Sequence, residues 1–133
     1  MTDAPRYLLA IYLATREGGE TEPIAPGYVA SELDRSPSTA TETLQRLEER
    51  GYLTYEPYEG ATLTDRGRET AAELHERYVV LSTFFREVLE LPDPDEEAME
   101  LVGSVSSVVT ERVAETLLEA GTGGDDERLP RVE

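Results

Sequence analysis

The segment from Ser36 to Pro57 carries polar side chains at helical spacing. Successive residues of an α-helix are rotated by about 100°, so its apolar residues fall on one side and its polar residues on the other. Hydroxyl, amide, carboxylate and guanidinium groups in this arrangement can hydrogen-bond the base edges and phosphates of duplex DNA. The outward set comprises Ser38, Glu42, Gln45 and Glu49, flanked by Thr39, Thr41 and Arg46.

This segment also carries clear helix start and stop signals. The Ser36 hydroxyl can accept a free amide hydrogen of the first turn, and Pro37 suits the first helical position. Gly51 provides the stop, because glycine readily adopts the left-handed conformation that ends many helices. We therefore predict a helix between Ser36 and Gly51, with an inward face formed by Ala40, Thr43, Leu44 and Leu47.

Two earlier helices are predicted to support this one. Apolar residues recur at i, i+3/i+4 spacing from Pro5 to about Arg16, which indicates an amphipathic first helix. Pro26 opens a short second helix, and Ile24 before it is expected to form a very short strand. Helix, turn and polar helix together form a helix-turn-helix pattern.

A hairpin is predicted directly after the polar helix. Tyr52–Tyr55 and Ala61–Leu63 have the composition of two short strands, and the loop between them contains proline and glycine. This order of elements is typical of a winged helix-turn-helix domain.

Three further helices are predicted in the second half of the chain. A long helix extends from residue 64 to about residue 90, and Pro94 opens another, whose apolar pattern falters around residues 103–107 and then resumes until Gly121. Such helices suit a dimerisation unit. We predict a mainly α-helical chain with a DNA-binding domain at residues 1–72, a helical dimerisation domain at 73–121 and a disordered tail at 122–133.

A polar second helix of this kind suits the DNA major groove, where its N-terminal residues face the bases. Gln45 suits adenine, Arg46 suits guanine or a phosphate, and Glu42 can accept a hydrogen bond from cytosine N4. Hydroxyls and free amides of the first turn can bind a phosphate. The alternative is a set of solvated polar residues on a surface helix. The predicted DNA-binding residues here are Ser36, Ser38, Thr39, Thr41, Glu42, Gln45 and Arg46.

The hairpin and its flanks add further candidates for phosphate contacts. Tyr58 can approach a phosphate from the hairpin loop, although the two glutamates of that loop would repel it. Arg66 and Arg68, at the start of the long helix, are expected to contact the DNA backbone, with Arg35 and Arg50 as supplementary contacts. Each arginine has the alternative of pairing with a neighbouring carboxylate.

The net charge of the chain indicates more about the solvent in which it works than about its binding partner. The net charge is -17, with 29 acidic residues against 12 basic ones, and every basic residue is arginine. Dense carboxylates without lysine, in a sequence with regular apolar periodicity, indicate a molar-salt cytoplasm, where the Debye length falls to about 3 Å. The alternative is an acidic DNA mimic.

Composition excludes several other classes. The chain of 133 residues contains no cysteine, so disulfides, thiolate metal sites and cysteine nucleophiles are excluded. Its N-terminus has neither a basic start nor a long apolar run, so we expect no signal peptide, no membrane span and a cytoplasmic location. No nucleophile–base pair, phosphate loop or zinc motif is visible, which disfavours an enzyme.

The order of these segments resembles the diphtheria-toxin-repressor/manganese-repressor family of metal-dependent transcription regulators. The resemblance extends from about Pro5 to Ala120 and includes the S-P-S turn and the L-T-x-x-G-R motif of Leu63–Arg68. It implies a winged helix, a helical dimerisation domain and a homodimer on a palindromic operator, and it favours a repressor. The chain ends where some members add an SH3-like domain, so it resembles the short two-domain form.

The positions of this sequence that match the family's metal ligands hold residues that are poor ligands. Manganese and iron(II) need oxygen, imidazole or thiolate donors from several helices. Thioether is a poor ligand for both ions, and an arginine places a cation where the metal charge belongs. We therefore predict that the metal switch is lost and that no cofactor is required. The matching positions hold Arg6, Leu9, Tyr78, Met99, Val102 and Gly103.

Two alternatives stay open. His75, the only histidine, could form a displaced metal site with Glu96, Glu97 or Glu100, although an exposed histidine among acidic neighbours is the simpler interpretation. The chain could also be an acidic winged-helix module that docks a protein or mimics DNA. Such a module would protect no palindrome on the chain's own promoter.

Overall fold

The computed structural model describes residues 3–124, with side chains described as far as Glu119. The chain divides into two compact units, one up to His75 and one from Glu76. The elements are α1 (Ala4–Arg16), α2 (Pro26–Leu33), α3 (Pro37–Glu49), β1 (Leu53–Glu56), β2 (Gly60–Leu63), α4 (Asp65–Glu87), α5 (Pro94–Leu101) and α6 (Ser107–Gly124).

Helices α1, α2 and α3 form the core of the first unit with the hairpin. Their apolar residues recur every three or four positions, so each helix presents one stripe to the others. Tyr7, Leu9 and Ile11 of α1 are fully buried. The same core contains Val29, Leu33, Ala40, Leu44, Leu47, Leu53, Ala61 and Leu63.

The predicted start and stop of α3 are confirmed. The Ser36 hydroxyl accepts a hydrogen bond from the Thr39 amide at 3.2 Å, and Pro37 is the first helical residue. Gly51 follows the helix with φ 86°, the left-handed conformation that glycine tolerates best. Between α2 and α3, Asp34 has φ 58° and Arg35 donates its amide hydrogen to the Ala30 carbonyl at 2.9 Å. The turn therefore fixes where α3 begins.

The wing is a two-stranded antiparallel sheet of β1 and β2, in which Leu53 pairs with Leu63 and Glu56 with Gly60. Ile24 forms an isolated antiparallel bridge with Ala61, which confirms the predicted short strand. The backbone amide of each donates to the carbonyl of the other, at 2.8 and 2.9 Å. The wing is thus tied to the segment between α1 and α2.

The L-T-x-x-G-R motif anchors the wing to α4. The Thr64 hydroxyl donates to the Gly51 carbonyl at 2.7 Å and accepts from the Gly67 amide at 3.1 Å, while the Thr64 amide donates to the Tyr52 carbonyl at 3.1 Å. A side chain at Gly67 would collide with the Tyr52 carbonyl oxygen. The motif therefore has a structural explanation in the contact between the start of α4 and the start of the hairpin.

Replacing Gly67 with alanine tests this anchor. In an open helical position the change would stabilise the fold by up to about 1 kcal/mol, because alanine favours helix more than glycine does. At Gly67 the new Cβ meets backbone that cannot rotate away, so we expect a loss of about 2 kcal/mol or more in the free energy of unfolding. Urea denaturation measures it, with Gly27→Ala as the control, since a Cβ at Gly27 meets nothing within 4 Å. Equal effects of both changes on the free energy of unfolding would contradict the conclusion that the contact with Tyr52 requires glycine at position 67.

The second unit has a smaller core. Leu81 and Phe85 of α4 pack with Ala98 of α5, and partly buried residues surround them. Val102 is fully buried, and its carbonyl accepts a hydrogen bond from Arg77 at 3.2 Å. The surrounding residues are Tyr78, Phe84, Leu91 and Val105.

Two helix ends differ from the sequence prediction. α4 ends at Glu87 instead of about residue 90, because Glu90 adopts a left-handed conformation with φ 54°. Val88 was predicted to belong to the apolar stripe of this helix, but its side chain is 45% exposed. α6 continues to Gly124, three residues into the segment predicted as a disordered tail, and residues 125–133 lie outside the described part of the chain. Among the described residues, no helix is both long and apolar enough to span a membrane.

Candidate nucleic-acid interface

The N-terminal turn of α3 presents a compact group of hydroxyls to solvent. The Ser36 hydroxyl lies 2.8 Å from the Thr39 hydroxyl and 3.4 Å from the Ser38 hydroxyl, and all three residues are exposed. The Ser36 hydroxyl accepts the capping hydrogen bond from the Thr39 amide, so Ser36 both caps the start of the helix and belongs to its exposed surface. Hydroxyls at a helix N-terminus are suited to binding a phosphate, while Pro37 has no amide hydrogen and the Thr39 and Ala40 amides are already bonded to Ser36.

The middle of α3 presents the predicted outward face. Glu42 and Gln45 are exposed and Thr41 is half-buried, whereas Thr43 is buried and donates its hydroxyl hydrogen to the Thr39 carbonyl at 2.9 Å. The separation of faces that the sequence predicted is therefore present. Contact of the exposed face with base edges stays a prediction.

Beside this face lies a cleft that we call the arginine cleft. It has a volume of about 540 Å³. Arg46 and Arg50 are exposed, and no described carboxylate pairs with either side chain. The lining consists of Asp3, Ala4, Arg35, Thr43, Arg46, Leu47 and Arg50.

Asp3 holds two arginines at the edge of this cleft. Its Oδ2 accepts from Arg35 Nε at 2.7 Å and lies 2.6 Å from Arg35 Nη2, while its Oδ1 accepts from Arg6 Nη1 at 3.1 Å. Partial burial alone raises the pKa of Asp3, but the hydrogen bonds and charges of Arg35 and Arg6 outweigh it and lower that pKa below its ordinary value. Asp3 is therefore ionised at neutral pH. Since its pKa is depressed by folding, its stabilising contribution is lost as the pH falls through the folded-state value.

Sequence reasoning missed Asp3 altogether. Its partner Arg35 lies 32 residues away in the chain, and no local pattern links the two. Arg35 was predicted as a supplementary phosphate contact, with a neighbouring carboxylate as its alternative partner. In the structure that carboxylate is Asp3.

The wing tip presents Tyr58 to solvent. Tyr58 is fully exposed and has φ 70°, a left-handed conformation that bulky residues rarely adopt. The turn is closed by a hydrogen bond from the Glu59 amide to the Glu56 carbonyl at 3.0 Å. The loop therefore holds an exposed phenol between two acidic residues, as the sequence suggested.

Arg66 and Arg68 have local partners in the structure. Arg66 donates to the Arg50 carbonyl at 2.7 Å and to the Tyr52 hydroxyl at 3.2 Å, and its guanidinium lies 4.3 Å from the centre of the Tyr52 ring. Arg68 donates to the Leu63 carbonyl at 3.0 Å and lies 3.6 Å from a Glu22 carboxylate oxygen. Both side chains fasten the wing to α4. A phosphate contact by either one would have to be made in addition to these bonds.

The positions that match the family's metal ligands do not fit a metal. In the first unit, Leu9 is fully buried and Arg6 is buried and paired with Asp3. In the second unit, Val102 is fully buried and Tyr78 packs on the Leu81 cluster. Met99 is half-buried and Gly103 is exposed. Across residues 3–124, no three His, Cys, Asp or Glu side chains are grouped so that they could hold a metal ion.

His75 differs from the exposed histidine suggested by the sequence. Its side chain is only 16% exposed, and its Nε2 lies 3.7 Å from a Glu17 carboxylate oxygen. Its ring centre lies 5.5 Å from that of Tyr12. Acidic neighbours in general were expected, but the contact of the ring with Tyr12 of α1 and with Glu17 was not. The alternative of a displaced metal site at His75 gains no support from the described residues.

Comparison with known proteins identifies the family. Residues 1–61 match the family model described as iron dependent repressor, N-terminal DNA binding domain. The chain is also 35% identical over 109 residues to an uncharacterised HTH-type transcriptional regulator of Methanocaldococcus jannaschii, an alignment covering 80% of this chain and 86% of that protein. This chain belongs to the diphtheria-toxin-repressor/manganese-repressor family of transcription regulators.

Two further regulators are similar to this chain, one in sequence and one in structure. The HTH-type transcriptional regulator MntR of Geobacillus kaustophilus is 34% identical over 80 residues, which cover 60% of this chain and 55% of that protein. The structure of the manganese regulator SloR matches with a TM-score of 0.72 and 25% identity, over 88% of this chain and 54% of that one. The chain thus spans about half the length of these two relatives. The predicted family and the winged helix-turn-helix fold are confirmed.

Proposed function

We propose that this family member is a homodimeric regulator that binds a palindromic DNA operator, acts as a repressor and works in high salt without the family's metal switch. The observation that carries the proposal is the exposed polar face of α3, capped by Ser36 and flanked by the arginine cleft. A polar face of this kind, on the second helix of a helix-turn-helix motif, suits the major groove of DNA. The function rests on DNA binding alone, and no catalytic step is proposed.

The proposed DNA contacts follow from the chemistry of each exposed group. Gln45 can bond an adenine edge through two hydrogen bonds, Glu42 can accept from cytosine N4, and Thr41 supplies a short hydroxyl beside them. The hydroxyls of the first turn and Arg46 are assigned to the backbone, and Tyr58 to a phosphate beside the wing. Backbone contacts fix the register, and base contacts provide the sequence preference.

The second unit supports the homodimer. Of the large apolar side chains that are exposed among the described residues, all but Tyr58 lie in this unit. Exposed apolar patches on a soluble domain often mark protein–protein contacts, and we propose that these side chains form such a contact between two chains. A twofold pair of chains would match a palindromic operator. The exposed residues are Val79, Val88, Leu89, Leu101, Val108, Val109 and Leu118.

Independence from metal is proposed from the replaced donors. An allosteric effector typically changes a protein's affinity for its other ligand by about 5–150-fold. We expect manganese or iron(II) to change the affinity of this chain for its operator by less than about twofold. The physical reason is that the side chains of Arg6, Leu9 and Val102 offer no lone pair to a cation. Fluorescence anisotropy of an operator duplex, titrated with Mn²⁺ and then with chelator, measures the effect. A large increase that the chelator reverses would contradict metal independence.

High-salt function predicts an unusual salt dependence of DNA binding. Most DNA-binding proteins release counterions, so the logarithm of their affinity falls with a slope of about -0.9 per neutralised phosphate. A chain with net charge -17 brings carboxylates near phosphates and can take up cations instead. We expect a shallow or positive dependence on potassium chloride, measured by anisotropy from dilute to molar salt. A steep negative slope over the whole range would refute it.

Footprinting on the chain's own promoter in molar potassium chloride tests the proposal. We expect a protected site with two symmetric halves, because each chain of a dimer reads one half. An acidic interaction module or DNA mimic would leave the promoter unprotected. That result would overturn DNA binding as the function.

A further inference from the structure

Positive charge is concentrated at one place on this strongly acidic chain. Four of its twelve basic residues, Arg6, Arg35, Arg46 and Arg50, either line the arginine cleft or pair with Asp3 at its edge. The cleft lining holds three guanidinium groups against one carboxylate. In a chain of net charge -17, such an excess is a local feature that solvation by carboxylates does not explain.

The cleft lies against the flank of the outward face of α3. Arg46 and Arg50 are four residues apart, so they project from the same flank, about 100° round the helix from Gln45 and Glu49. Thr43 and Leu47 form the floor, and both are buried. A group bound in the cleft therefore lies alongside DNA held by the polar face.

The chemistry of the lining favours a phosphate. Guanidinium groups present planar forks of N–H donors that match phosphate and carboxylate oxygens in pairs. Within the described residues, Asp3 is the one carboxylate that lines the cleft, and it binds Arg35 through a single oxygen. Arg46 and Arg50 retain donors that a second anion can use.

We propose that the arginine cleft is a phosphate-binding site and that Asp3 is its internal occupant, displaced from Arg35 when a phosphate enters. The inference rests on the proposed function where the phosphate belongs to operator DNA. A free phosphorylated ligand has the same chemistry, and the experiment separates the two sources. The lowered pKa of Asp3 accords with this role, since it keeps the internal occupant charged.

Three substitutions test the DNA source. Arg50→Gln removes a cleft charge without touching the outward face, and we expect operator affinity to fall about tenfold, as for one lost charge-assisted contact. Asp3→Asn removes the competitor and is expected to tighten binding several-fold. Arg86→Gln is the matched control, because Arg86 is exposed and pairs with Glu87 and Asp95 in the second unit. Its effect on affinity should be negligible.

A second measurement does not depend on DNA. The Nε–Hε NMR signals of Arg35, Arg46 and Arg50 are followed as inorganic pyrophosphate is added to the folded chain, with Arg86 as reference. Saturable shifts at the cleft signals, strengthened by Asp3→Asn, support the site even if the chain binds no DNA, in which case the ligand is a free phosphate compound. The proposal is overturned if operator affinity is unchanged in both Arg50→Gln and Asp3→Asn and if pyrophosphate shifts no NMR signal of the cleft arginines.

Discussion

Replacing Thr41, Glu42 and Gln45 together with alanine is expected to lower operator affinity about a hundredfold or more. Each good base-edge contact contributes about 1–3 kcal/mol of discrimination, and the triple variant removes the groups assigned to that role. Weak binding to unrelated duplexes should persist, because the backbone contacts are retained. The discrimination between operator and random DNA is therefore the quantity to measure, by competition anisotropy.

Stability should change little in this triple variant. Glu42 and Gln45 are exposed and Thr41 is half-buried, and alanine is the strongest helix former. Glu69→Ala, at an exposed position of α4, removes one carboxylate as the triple variant does and provides a control for the loss of charge on a helix surface. Unchanged discrimination in a folded triple variant would show that α3 does not read the operator.

Placing aspartate at Val108 and Leu118 is expected to convert the proposed dimer into monomers. These residues are 62% and 69% exposed, more than any other large apolar residue of the second unit. Full burial of such a side chain contributes about 1.5–3 kcal/mol, and twofold symmetry counts each substitution twice. Together with repulsion between the new carboxylates, this should weaken self-association about a hundredfold or more. Sedimentation velocity across a concentration series measures it.

Operator affinity should fall as dimerisation is lost, because a monomer engages only one half-site. Thr15→Asp with Ser31→Asp adds the same two charges at exposed positions of the first unit and should leave self-association unchanged. A wild-type chain that sediments as a monomer at all concentrations would remove the basis for the palindromic operator. A double variant that still dimerises would place the interface elsewhere.

Local signals explain why much of the fold was predictable from the sequence. Ser36 and Pro37 determine where α3 begins through the cap and a fixed φ, and Gly51 ends it through a left-handed conformation. These effects act within a few residues, so a sequence shows them directly. The composition of the two short strands and the apolar stripes of α1 and α2 are equally local.

The missed features depend on contacts between distant residues. Asp3 reaches Arg35 across 32 positions, and the burial of His75 depends on Tyr12 and Glu17 of the first helix and its end. Arg66 could be assigned to DNA or to the protein from its charge alone, and only the structure places it on the Tyr52 ring. Long arginine side chains have many rotamers, so their partners are decided by tertiary packing.

The absence of cysteine allows the most direct test of α3 in a DNA groove. Ser38→Cys creates a single thiol on the exposed first turn, to which an iron-chelate cleavage reagent is attached. We predict DNA strand cuts in two symmetric clusters on the operator, one per half-site and about one helical turn or a multiple apart. The same reagent at Glu111→Cys, an exposed position of the second unit, should not reproduce that pattern. Cuts that are absent or scattered along the duplex from position 38 would contradict the placement of α3 in the groove.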